Sequence, residues 1–296
     1  MSNGIFISFS FADAINNFVT WVVREYGDLF HQVTVLLLTY LLVPLEQGLL
    51  ALPPLAVLFA VAVIGYAGTR NRTLTLTMVA GLYLIGCLGL WDKLMQTLAL
   101  MAVSTLLTIA IGVPLGILMS RSRRLRWCLV PVLDVMQTLP TFVYLIPVLM
   151  LFGLGKVPAV FATVIYALPP LVRLTDLGIR QVDGDLLEAA RSFGTTHWQL
   201  LFGVQLPLAR PSIMAGVNQS IMMALAMVVI ASMIGSRGLG EDVLAGINNM
   251  DMGRGMQSGL AIVILAIVID RISQAYGQDG RLKKSLRLKK TAGAKA

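Results

Sequence analysis

Apolar residues along this chain gather into long runs separated by short charged connectors, the pattern of repeated membrane crossings rather than of one soluble core. From residue 53 onward the runs are clear. Residues 53–69 and 74–90 predict two helices joined by the connector TRNRT. A third span is predicted from about Met95 to Met119, and RSRRLR follows it directly. The next run, from about Trp127 to Phe152, carries Pro131, Pro140 and Pro147. Prolines inside a membrane helix predict breaks or kinks, tolerated where protein or a cavity satisfies the freed carbonyls. Further spans are predicted at about Val157–Val172, with Pro169 and Pro170 near its end, at Ser212–Ile234, and at about Gln257–Ile269. Between the last two lies GSRGLGEDVLAGINNMDMGRG, read as a loop on the far side.

Residues 11–50 break the pattern. Asp13, Asn16, Asn17, Arg24, Glu25, Asp28, His31, Gln32 and Glu46 interrupt the apolar residues, and the purely apolar stretch from about Val33 to Leu45 is short for a crossing. An interfacial or partly buried amphipathic helix is expected there. The division of the chain is therefore an amphipathic region 1–50, a transmembrane region 51–277 and a basic tail 278–296. The fold class is all-α, a polytopic helical bundle.

Composition strengthens this reading: 57% hydrophobic and 13% charged residues lie well outside the usual soluble balance. The net charge of +8 matters by its placement, because the tail after Gln278 carries seven basic residues against Asp279 alone. Such a tail is foremost a cytoplasmic topology signal, with contact to anionic lipid as a second role. Alternating the crossings puts TRNRT, RSRRLR, the polar segment around Glu188 and the tail on one side. The N-terminus has no basic region followed by an apolar core, so a cleavable signal peptide is not expected. Cys87 and Cys128 are far apart and read as packed thiols, and His31 and His197 stand away from any carboxylate cluster, so no metal site is expected.

The polar segment from Glu188 to Pro207 holds the most specific signal. Asp185 is placed to cap a short helix, DLLEAARSF, and Gly194 to end it in a left-handed conformation. Thr195 or Thr196 can then cap a second helix, HWQLLFGVQL, closed by Pro207 and Pro211. A DNA-binding helix-turn-helix shares this outline. The second helix, however, offers no Arg or Lys to phosphates or bases, so nucleic acid is not an expected partner.

Glu188-Ala189-Ala190, then Gly194, then Val204, Gln205, Leu206 and Pro207 resembles the cytoplasmic loop of permease subunits of binding-protein-dependent ABC importers. Val204 stands where Ile is commoner in that family. The likeness extends over roughly residues 91–275. DVMQTLPTFVYLIPVLMLFGLGKVP, ALPPLVRLTDLGIRQV and QLPLARPSIMAGVNQSIMMALAMVVIASMIGSRGLG look like the subfamily importing glycine betaine, proline betaine and choline. The resemblance implies a coupling loop (residues 180–208) with Glu188, Ala189, Ala190, Gly194, Leu206 and Pro207 against a separate ABC ATP-binding subunit in two copies. It also implies a second copy of this chain and an extracytoplasmic substrate-binding protein. ATP and Mg belong to the ATPase, so this chain is expected to bind no cofactor and to be no enzyme. The location implied is the bacterial cytoplasmic (inner) membrane, multi-pass among lipid, with the C-terminus cytoplasmic.

For a quaternary ammonium osmoprotectant, aromatic faces and polarizable thioethers are the suitable lining. Phe142 and Tyr144, with Met222, Met223 and Met227, are the candidates, against ordinary packing as the plain alternative. Met233 extends the same methionine-rich span. Asp134 reads as a helix cap near the arginine-rich side, or else as an intramembrane acid. Scarce intramembrane carboxylates suit a transporter driven from a soluble partner. The rival class is an ion-coupled secondary transporter or channel, which would work without an ATPase.

Overall fold

The computed structural model describes residues 11–277, and every regular element among them is helical. The basic tail lies outside the described residues. The first helical unit runs as α1 (Phe11–Leu37), a π-helical turn (Leu38–Leu42) and α2 (Val43–Ala51). Its 39 residues from Asp13 to Ala51 are long and apolar enough to cross a membrane, although the purely apolar stretch 33–45 within them is short. Glu46 is the interruption nearest the apolar stretch 33–45. It is buried, and both of its carboxylate oxygens accept hydrogen bonds from Nζ of Lys156, at 2.6 and 2.5 Å. A charge cancelled from 110 positions away does not end an apolar run. Leu37 and Leu42 on the same unit enter a core with Leu100, Val103 and Val157.

The helices α3 (Pro54–Thr69) and α4 (Arg72–Cys87) form where expected, but each has only 16 residues. At 1.5 Å per residue that is about 24 Å, short of the roughly 30 Å hydrocarbon thickness. Asn71 starts α4, its side chain accepting from the backbone N–H groups of Thr73 and Leu74.

Three long helices carry the centre: α5 (Trp91–Arg121), α8 (Lys156–Arg180) and α11 (Leu206–Met233). α8 packs extensively against both others, and small residues explain how closely. A Cβ on Gly112 would lie 2.9 Å from Cδ2 of Leu171, one on Gly116 would lie 2.5 Å from Cβ of Thr175, and one on Gly178 would lie 2.6 Å from Cβ of Ser212. Apolar lipid gives little hydrophobic drive between helices, so close backbone packing of this kind holds membrane bundles together.

Proline acts differently at different positions. Of the three prolines between Trp127 and Phe152, only Pro140 separates two helices, α6 (Arg123–Thr138) and α7 (Thr141–Phe152), which bend by 101°. Pro131 and Pro147 remain within those helices. Likewise α8 continues through Pro169 and Pro170 to Arg180, so RLTDLGIR is helical rather than loop. Ser220 donates its hydroxyl to the Ala167 carbonyl at 2.6 Å beside this proline pair. Beyond α11, the far-side connection contains α12 (Leu239–Asn248), and α13 (Met252–Gly277) returns. Among the described residues, five helices are long and apolar enough to cross, six if α6 and α7 make one bent span.

Candidate coupling loop and its supports

The segment after α8 folds as α9 (Gly184–Ser192), a turn, α10 (His197–Leu200) and a π-helical turn (Leu201–Gln205) leading into α11. Asp183, not Asp185, caps α9: its side chain accepts from the Asp185 backbone N–H at 3.0 Å. Asp185 instead lies in the first turn, where a carboxylate still suits the helix dipole. Gly194 has φ of +74°, the left-handed conformation that glycine takes without cost. The Thr195 hydroxyl donates to the Ala190 carbonyl at 2.8 Å, closing the end of α9. At α10, Thr196 and Gln199 form a reciprocal capping box.

This loop is well formed yet barely embedded. No residue of α9 is buried. Glu188, Ala189, Gly194 and Pro207 are exposed, with Ala190 and Leu206 half-buried. Phe193 is 89% exposed and Trp198 65%, with Leu186 and Phe202 also open. Trp198 and Phe202 stack, with ring centroids 5.8 Å apart. Large apolar side chains grouped on an otherwise polar loop mark a contact surface. Leu200 and Leu201 are the buried feet of the loop. Arg121, at the end of α5, adds a tie: Nη2 donates to the His197 carbonyl at 3.3 Å, and Cζ lies 5.2 Å from the Trp198 ring centroid.

The suggested pathway residues divide. Tyr144 and Met227 are buried in one core cluster with Leu100, Val103 and Val157, and the Tyr144 hydroxyl has no hydrogen-bond partner. Met223 is half-buried, while Phe142, Met222 and Met233 open outward on the single chain. Asp134 is not a cap. It lies within α6 and forms an ion pair with Arg173 of α8. Cys87 and Cys128 are both exposed on the single chain, not packed inside it.

A second charged centre joins the far-side ends of α5, α12 and α13. Asp242 is 4% exposed and is bridged by Lys93 at 2.5 Å and Arg254 at 2.5 Å. Burial pushes its carboxyl upward, but hydrogen bonds from Lys93 and Arg254 outweigh this and hold it below the usual carboxylate range. Beside it the Leu239 N–H donates to Oγ1 of Thr97 at 2.9 Å. Acidic residues in that loop were legible in the sequence, but their distant partners were not.

A bundle of long helices broken by a bent pair, with a formed but unembedded loop on its arginine-rich side, is an architecture suited to a membrane transport subunit that meets a soluble partner. The chain belongs to the family of binding-protein-dependent transport system inner membrane components, matching it over residues 109–277. It is 50% identical over 271 residues to the glycine betaine/proline betaine transport system permease protein ProW of Escherichia coli (strain K12), covering 91% of this chain and 75% of that protein. It is 45% identical over 265 residues to the glycine betaine transport system permease protein OpuAB of Bacillus subtilis (strain 168), covering 89% of this chain and 93% of that protein. Among solved structures, an inward-facing conformation of the MetNI methionine ABC transporter is similar, with a TM-score of 0.53 and 20% identity, covering 62% of this chain and 89% of that chain. At that identity the likeness concerns the fold alone.

Proposed function

We propose that this chain forms the membrane pathway of an ATP-driven importer for glycine betaine and related quaternary ammonium solutes. The observation that carries the coupling mechanism is the loop from Asp183 to Leu206, correctly capped at each turn and presenting Phe193, Trp198 and Leu186 to solvent. An ATP-binding subunit is the partner this surface fits, with Glu188, Ala189, Ala190, Gly194, Leu206 and Pro207 at or beside the contact. Two such ATPases, each binding its own ATP and Mg, would serve two copies of this chain. Their closure would toggle the bundle between outward and inward states. The arginine-rich side is then cytoplasmic, along with the C-terminal tail, and a soluble binding protein delivers solute to the far side.

The solute class rests on the two betaine permeases to which the chain is similar. Tyr144 on α7 and Met227 on α11, both buried in the same core cluster, are the pathway candidates, and a trimethylammonium group suits both. Met223 lies one turn before Met227 on α11 and is half-buried. Phe142 and Met222, opening outward, fit lipid or the second copy.

Reconstitution decides the mechanism. Proteoliposomes with this chain, its ATPase and its binding protein should accumulate radiolabelled glycine betaine only when ATP is supplied. Accumulation by the chain alone under an ion gradient would instead identify a secondary transporter.

A further inference from the structure

The coupling loop is covalently continuous with α8 and α11, but α5 reaches it only through space. Arg121 makes that link from the last residue of α5. Its guanidinium uses one N–H on the His197 carbonyl at 3.3 Å and sets Cζ over the Trp198 ring, 5.2 Å from the centroid. A planar, always-charged fork holds both contacts in one fixed geometry, whereas a compact ammonium on a flexible stem has no planar face to lay against the ring. The other end of the same 31-residue helix is held equally specifically. Lys93 meets Asp242 at 2.5 Å, and Thr97 accepts from the Leu239 N–H at 2.9 Å, both on the far-side helix α12. Between these ends, Gly112 and Gly116 seat α5 directly on α8.

We propose that Arg121 is a positioning residue for coupling, clamping α10 to α5 so that displacement of the loop by the ATPase reaches the far-side connection. This rests on the reading of the loop as the ATPase-docking element. Without the clamp, the ATPase still docks and hydrolyses ATP, but α5 no longer follows. The role is geometric and not one of charge alone, so Lys at the same position, which preserves the positive-inside signal, fails to replace it. Trp198 is its counterpart: Phe keeps an aromatic face there and Ala removes it.

The test uses the full complex in proteoliposomes, reading glycine betaine accumulated per ATP hydrolysed, with ATPase co-purification measured on the same samples. Arg121→Ala and Arg121→Lys should each lower that ratio about fivefold or more with ATPase retained. Trp198→Ala also trims the exposed docking surface, so its ratio is read per ATP hydrolysed by the ATPase that stays bound; it should fall to a similar extent, and Trp198→Phe should restore most of it. The Arg121→Ala/Trp198→Ala pair should be no worse than either single change, as expected for two residues acting through one contact. An unchanged ratio in Arg121→Lys, or single effects that multiply in the pair, would overturn the proposal. Loss of ATPase docking is measured separately and reports on the loop reading, through Gly194→Asp, rather than on Arg121.

Discussion

The two connections flanking α11 solve opposite problems. On the arginine-rich side, residues 183–206 fold into capped helical turns but leave Phe193 and Trp198 open. On the far side, residues 235–251 bury their principal acid, Asp242, beneath Lys93 and Arg254 and press glycine onto backbone: a Cβ at Gly240 would lie 2.3 Å from the Val228 carbonyl oxygen. The first connection caps its own turns and leaves its large apolar side chains exposed. The second spends its contacts on the bundle itself. A loop's polarity therefore says little about its role, whereas the destination of its contacts says much.

Substitutions should separate the two connections by which property fails. The largest effect is expected at the docking surface: Glu188→Arg or Gly194→Asp should reduce ATP-driven uptake by about tenfold or more, the scale of losing a central interface contact. The amount of inserted protein should hardly change; Glu188→Arg should leave thermal stability near the parent's, while Gly194→Asp should cost about 1 kcal/mol locally because residue 194 has a positive φ. Normal uptake by either variant with ATPase bound would remove the loop from the coupling path. Gly240→Ala should do the reverse, costing about 1–3 kcal/mol of stability through overpacking, read as a lowered melting temperature in detergent.

Acid should discriminate next. The folded carboxyl of Asp242 is held below its unfolded value, so its stabilisation is fully present above about pH 4 and is lost as pH falls through the folded value. Melting temperature should therefore lack any Asp242-dependent change between pH 5 and 8. Below pH 4 the gap between the parent and Asp242→Asn should narrow. A gap that instead opens between pH 5 and 8 would contradict the assignment. The smallest effect is expected from Thr196→Ala, which removes the cap of α10 and about 1 kcal/mol of local stability. It should loosen amide exchange across residues 197–200 without abolishing uptake.

Much of this architecture is legible in the chain because membrane helices are written in composition, and local turns in short-range chemistry. The left-handed glycine at Gly194 and the Thr196 cap follow from neighbours within a few residues. The Asp183 cap was displaced by two positions from Asp185 because both acids suit a helix start, and only backbone geometry chooses between them. What could not be read is tertiary pairing across the sequence. Glu46 needs Lys156, Asp134 needs Arg173, and Trp198 needs Arg121. Without those partners, Glu46 looked like the end of a membrane segment and Asp134 like a cap. Pro169 and Pro170 looked like a terminus for a related reason: burial between α5 and α11 keeps α8 helical beyond them.

Amide hydrogen exchange of the reconstituted chain, with and without its ATP-binding subunit, compares the two connections in one experiment. Adding the ATPase alone should slow exchange across residues 184–206, most strongly around Glu188 and Phe193, and leave residues 235–251 at their own rate. Protection confined to the far-side connection, or none in the loop while the ATPase is bound, would contradict the assignment of this loop as the docking surface.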